Sequence, residues 1–113
     1  MILRYRSILL AGCLALVLPL MAAAGDPLWI DVRSDSEYSE KHVEQAINIP
    51  YTEIAAGVAE LGTGKDAVIY VYCRSGRRSG IAKETLDGMG FTSVVNVGGL
   101  DDALRKAGQG TGN

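Results

Sequence analysis

Val68-Ile69-Tyr70-Val71-Tyr72-Cys73-Arg74-Ser75-Gly76-Arg77-Arg78-Ser79 is the stretch that decides the fold. The first five residues are apolar, aromatic or β-branched without a break, the composition of a strand covered on both faces. A cysteine ends the run. A tight loop with three arginines and a glycine follows, and a helical pattern then begins at Ser79, with Ala82, Leu86 and Met89 on one face. A cysteine in that position lies over loop N–H groups and the positive end of a helix dipole. Both favour the thiolate, the nucleophilic form.

Outward from this stretch, strand and helix alternate. Upstream, Leu28 to Val32 reads as a strand. Ser34 and Glu37 have capping-box spacing, so a short helix to about Lys41 is expected. Ala46 to Ile49 reads as a strand stopped by Pro50. Thr52 to Leu61 carries Ile54, Val58 and Leu61 at helical spacing, and Gly62 to Asp66 is a loop. Downstream, Gly90 suits the C′ position of the helix Ser79 to Met89. Val94 to Val97 reads as a strand. Gly98-Gly99 turns into a helix from Leu100 to about Ala107, and Gly108 to Asn113 is expected to be a frayed tail. The alternation predicts an α/β fold in which a mostly parallel sheet lies between helices, with ligands beyond the carboxyl ends of the strands. Cys73 is at such an end, and so is the Val97-Gly98-Gly99 turn.

The first 24 residues differ from the rest. Arg4 and Arg6 precede the apolar run Ile8 to Met21, and Ala22-Ala23-Ala24 supplies small residues, the pattern of a secretory signal peptide. Two other readings stay open: an uncleaved anchor, and lipidation at Cys13 in Leu10-Ala11-Gly12-Cys13. Against lipidation, Leu14 to Leu20 continues the apolar run past Cys13. Cleavage after Ala24 would leave 89 of 113 residues, one small domain spanning 25–107 with its tail at 108–113. It would also remove two of eleven basic residues, leaving nine against thirteen acidic ones and a net charge of −4. Such a body is unsuited to nucleic acid or anionic membranes, and a monomer is expected. Cys73 would be its sole cysteine, an unusual state for an exported protein.

An unperturbed thiol, pKa about 8.5, is only about 3% thiolate at neutral pH; lowering it by two units takes about 2.7 kcal/mol. A helix terminus contributes roughly 0.3–1 kcal/mol, up to about 2 when partly buried. The remainder has to come from N–H···S contacts and from the guanidinium groups of Arg74, Arg77 and Arg78. The implied ligand is a small anion with an electrophilic atom that sulfur can attack. The competing reading is a buried cysteine with a packing role and solvated arginines. A dithiol redox site needs a second cysteine at position 76, which is Gly76. A cysteine phosphatase loop has arginine six residues after the cysteine, where this chain has Ser79; the tighter loop suits a smaller group than phosphate. The one histidine, His42, is far away in sequence, and one histidine with one cysteine argues against zinc.

The chain resembles the single-domain rhodanese family, most closely its exported phage-shock type. The resemblance rests on Trp29-Ile30-Asp31-Val32-Arg33, Glu37-Tyr38, His42 to Pro50, Tyr72 to Gly80, Gly90-Phe91 and Asn96 to Leu100. It implies a three-layer α/β domain with a central parallel sheet flanked by helices. It also implies a thiosulfate sulfurtransferase, with no cofactor or metal, in which Cys73 carries a persulfide and passes its sulfur to cyanide or a thiol. The family loop maps onto Cys73, Arg74, Ser75, Gly76, Arg77 and Arg78. Backbone N–H groups of Arg74 to Arg78 would hold the persulfide charge, and Arg78 with Arg74 or Arg77 would orient the donor. A non-catalytic persulfide carrier or anion-binding module is the alternative. So is an enzyme acting on oxyanions such as arsenate, which the short loop disfavours. In the shared motifs Asp31 and Arg33 are expected to pin the loop to the following helix and Glu37 to act as a cap. Asn48 and Pro50 are expected to shape a turn, and Gly98 and Gly99 to let the backbone pass close to the Cys73 loop.

Overall fold

The computed structural model describes residues 25–110. The expected signal peptide, the Cys13 motif and the last three residues lie outside them. Four parallel strands form one sheet: β1 Leu28–Asp31, β2 Ile47–Asn48, β3 Val68–Cys73 and β4 Ser93–Gly99, in the order β2-β1-β3-β4. The helices are α1 Asp35–Glu40, α2 Ile54–Leu61, α3 Arg77–Gly88 and α4 Leu100–Lys106, and a 3₁₀ turn at Tyr51–Glu53 leads into α2.

The interior strand β3 explains the layering. Its side chains alternate between faces. Ile69, Val71 and Cys73 join Ile54, Val58, Ala82 and Leu86 under α2 and α3. Tyr72 points the other way, into a second cluster with Trp29, Val43, Ala103 and Leu104. The predicted three-layer α/β fold is present, with apolar material on both faces of the sheet. Cys73 is the last residue of β3 on the α3 side, so its sulfur faces the start of the helix that follows.

Several boundaries differ from the sequence reading for identifiable reasons. Helix α3 starts at Arg77, two residues before Ser79, because Gly76 turns the chain at φ +104°. That conformation is costly for any residue with a Cβ. Strand β2 is only two residues long. The first turn of the helix expected from Thr52 is the 3₁₀ segment. Strand β4 runs on to Gly99, and its pairing with β3 slips by one residue, Val71 opposite Asn96 but Tyr72 opposite Gly98. This bulge places Asn96 and the Gly98-Gly99 pair beside the Cys73 loop.

The tail expectation needs correcting at Gln109. Its N–H donates to the Leu104 carbonyl at 2.7 Å, its Oε1 accepts from Glu44 N–H at 2.8 Å, and its Nε2 donates to Gln45 at 2.7 Å. The chain is held there because helix α4 ends beside the loop that carries Glu44 and Gln45.

The Asp31–Arg33 expectation holds. Arg33 donates to the Asp31 carboxylate from Nε at 2.9 Å and from Nη2 at 2.7 Å, and Nη2 also reaches the Lys41 carbonyl at 2.7 Å. The pair thereby ties the end of β1 to the end of α1. Asn48 Nδ2 donates to the carbonyls of Asp31 and Arg33, at 3.1 and 3.0 Å, and fixes the same corner.

Candidate active site

Cys73 Sγ lies at the floor of the loop and is 1% exposed. It accepts the N–H of Gly76 at 3.0 Å and the N–H of Ser79 at 3.4 Å, and the Ser79 Oγ lies 3.3 Å away. Burial pushes the thiol up. The Ser79 hydroxyl and the N–H groups of Ser79, Gly76 and Ser75 outweigh it and hold the thiol below its ordinary range. The cradle is therefore mostly backbone. The sequence reading named the guanidinium groups beside the N–H contacts; of the three, Arg78 has a charge attraction to Cys73, and it is a small one.

The arginines fall into distinct settings. Arg78 is bound by Glu37 through two parallel bonds, Nη1 to Oε1 at 2.9 Å and Nη2 to Oε2 at 3.1 Å. Arg74 is largely exposed, at 79%, and leans toward the same carboxylate at 3.8 Å. Arg77 is exposed and enters no ion pair among the described residues. The expectation that Arg78 orients the donor meets an obstacle, since its guanidinium plane already faces a carboxylate. That pairing offsets the unfavourable placing of two arginines in the first turn of α3, at the positive end of its dipole.

Glu37 thus does more than cap. It closes the capping box with Ser34, whose N–H donates to Oε1 at 3.0 Å while the Glu37 N–H donates to Ser34 Oγ at 3.3 Å. The bonds from Arg78, then that from the Ser34 N–H, lower its carboxyl from 4.5 to about 2. A depressed carboxyl stabilises the fold above the unfolded-state value, and this contribution is lost as pH falls through the folded one. Stability is therefore expected to decline between pH 4.5 and about 2, and Glu37→Gln to flatten that part of the profile. Urea midpoints across this range check it; an unchanged slope in the variant refutes it.

Gly98 and Gly99 stand where expected. A Cβ at Gly99 would meet the Arg74 carbonyl oxygen at 2.4 Å, and one at Gly76 would lie 3.8 Å from the Gly98 Cα. The obstacle at Gly99 is backbone, so Gly99→Ala has to displace the loop. Misplacing reacting groups by about 1 Å costs up to about a hundredfold in rate, and a ten- to hundredfold fall in sulfur loading is expected. Gly88→Ala, where a Cβ meets nothing within 4 Å, is the control and should load at the parent rate.

A cavity of about 620 Å³ borders the loop at Arg74 and Gly99, with Glu37, Asp102 and Arg105 among its lining, and Cys73 is not part of its wall. His42 stacks on Tyr38 and bonds the Tyr38 carbonyl at 2.6 Å, away from the cysteine, so no Cys–His pair forms.

The rhodanese-like domain family matches residues 17–105. The chain belongs to the rhodanese family. It is 47% identical over 94 residues to the thiosulfate sulfurtransferase PspE of Escherichia coli K12, an alignment covering 83% of this chain and 88% of that protein. Among solved structures, a rhodanese with anions from E. coli superposes with a TM-score of 0.65 at 47% identity, covering 68% of this chain and 91% of that one. The human single-domain sulfurtransferase TSTD1 superposes at 0.60 and 25% identity, covering 80% and 91%. This rhodanese is a sulfurtransferase. Two residues at its site escaped the sequence reading, Ser79 as a thiol partner and Asn96 behind it. Ser79 was signalled by its place in the first turn after the loop; Asn96 had no local signal.

Proposed function

We propose that this rhodanese is an exported thiosulfate sulfurtransferase working through a Cys73 persulfide. The observation that carries the reading is the Cys73 sulfur seated among N–H donors from Gly76 and Ser79 at a strand end. The Cys73 thiolate attacks the outer sulfur of thiosulfate. A new S–S bond forms, the old one breaks, and sulfite leaves with the electron pair. Cyanide or a thiolate then attacks the outer sulfur of the persulfide and restores the Cys73 thiolate. The loop N–H groups stabilise the negative charge on the persulfide as an oxyanion hole stabilises oxygen.

With Arg78 clamped by Glu37, orienting the sulfonate end of the donor falls to Arg77 and Arg74, with Ser75 and Gly76 shaping the rim. The name of the 47% identical relative supports thiosulfate as donor. The residue pattern of 1–24 supports export to the periplasm, and the sequence of the secreted form should begin near Gly25.

Intact mass is the test. Incubation with thiosulfate should add one sulfur atom, and cyanide should remove it with production of thiocyanate. Loading without cyanide turnover, but with transfer to a partner thiol, would replace this reading with a persulfide carrier. No loading while Cys73 remains alkylatable would exclude thiosulfate as donor.

A further inference from the structure

We propose that Asn96 is a positioning residue for Cys73: its carboxamide oxygen competes with the cysteine sulfur for the single Ser79 hydroxyl proton. This deepens the reading of Cys73 as the nucleophile. It stands on a set of bonds that the sulfur-transfer steps do not use.

The orientation of the Asn96 amide is fixed by the backbone. Its Oδ1 accepts the Gly98 N–H at 3.0 Å and its Nδ2 donates to the Gly76 carbonyl at 3.0 Å. A flipped amide would set donor against donor and acceptor against acceptor. The Ser79 Oγ lies 2.7 Å from Oδ1, so in that contact the serine has to donate. Its other neighbour is Cys73 Sγ at 3.3 Å. A hydroxyl has one proton and two lone pairs.

The assignment follows. In the thiol form, Ser79 gives its proton to Asn96, and its oxygen accepts the Cys73 S–H. When the thiol proton leaves to water, oxygen and sulfur lone pairs face each other unless the hydroxyl turns toward the sulfur. Turning sacrifices the bond to Asn96, whose Oδ1 keeps the Gly98 N–H. Asn96 therefore favours the thiol, while its Nδ2 bond to Gly76 holds the loop that favours the thiolate. Ser79 is fully buried, and Asn96 reaches its hydroxyl from an exposed position on β4. The β4 bulge is what brings Oδ1 into range.

The titratable groups on the elements packed about the loop are Arg78, which faces Cys73, Arg74 and Glu37 of α1, the Asp31–Arg33 pair at the end of β1, Tyr51 near Arg78, and Asp102 of α4 on the Gly99 N–H. None of them bonds Asn96, so substituting it leaves their pairings in place.

The test is the pH dependence of Cys73 alkylation by iodoacetamide, which needs no sulfur donor and so can succeed where thiosulfate loading fails. Asn96→Leu removes the competing oxygen. Its alkylation midpoint should fall by about half a pH unit to one unit, three- to tenfold in thiolate at a given pH. Ser79→Ala should raise the midpoint, and adding Asn96→Leu to Ser79→Ala should bring no fall, since the hydroxyl is gone and only the Nδ2 bond to Gly76 is then lost. A midpoint in Asn96→Leu that rises or stays put overturns the proposal, as does an equal fall in the Ser79→Ala background. If Asn96→Leu does not fold, the infrared S–H stretch of the parent protein decides. A hydrogen-bonded band that moves to the free position in Ser79→Ala supports the assignment, and an unbonded band in the parent refutes it.

Discussion

Cys73→Ala is expected to gain no mass with thiosulfate and to lose thiocyanate production by at least about a thousandfold, because no other group in reach can hold the transferred sulfur. The described residues contain no second cysteine, so no neighbouring thiol can take over. Cys73→Ser is the stricter companion. It keeps the shape of the side chain and an acceptor for the Gly76 and Ser79 N–H groups, but a hydroxyl at neutral pH is a poor nucleophile toward sulfur. Both variants should unfold cooperatively near the parent's urea midpoint. Collapse of the fold in both would return Cys73 to a packing role under α3, and residual loading in either would place the reacting sulfur elsewhere.

The second large effect concerns stability. Asp31 is fully buried and Arg33 is 5% exposed. Removing one partner of such a pair leaves an uncompensated charge in the interior and costs about 3–5 kcal/mol. Asp31→Ala is therefore expected to lower the unfolding free energy by that amount. It strips the guanidinium of its three carboxylate bonds and leaves the Lys41 carbonyl as its hydrogen-bond acceptor. It also removes the carboxylate that, after burial itself, helps to keep the Tyr72 phenol protonated. Replacing both partners, Asp31→Leu with Arg33→Met, should recover most of the loss, since an apolar pair of similar volume often matches a buried ion pair. Chemical denaturation of the three proteins checks this. A loss of under about 1 kcal/mol in the single variant would mean that water already solvates the pair. Loading by the double variant would separate the pair's role in folding from any role in transfer.

What was legible in the sequence was local. The run Val68 to Tyr72 is apolar on both faces because both faces are covered, and a glycine three residues past Cys73 marks a sharp turn whatever the fold. Asp31 and Arg33 were readable as residues that pin the loop to the following helix, and the structure adds that they do so as an ion pair two residues apart. Glu37 was readable as a cap from spacing, since Ser34 is three residues away. Its bond to Arg78 spans 41 residues and exists only once α1 and α3 reach the same end of the sheet. Ser79 with Asn96 spans 17 residues and depends on a one-residue slip between β3 and β4, which no periodicity announces. The start of α3 was misplaced because the positive φ of Gly76 is a property of the closed loop. The expected fraying fails at Gln109, which finds partners in a loop some 64 residues earlier.

The cradle around Cys73 is made by amide groups and by two glycines on the neighbouring strand, and among the described residues Ser79 is the only side chain that hydrogen-bonds the sulfur. Nucleophilicity and selectivity are thereby separable traits in this scaffold. Arg74, Ser75 and Arg77 point outward and can be exchanged without redrawing the backbone that activates the thiol. A library randomised at those three positions should keep its sulfur chemistry while its choice of donor and acceptor drifts, which makes the loop a modular port for engineering new sulfur-delivery partners.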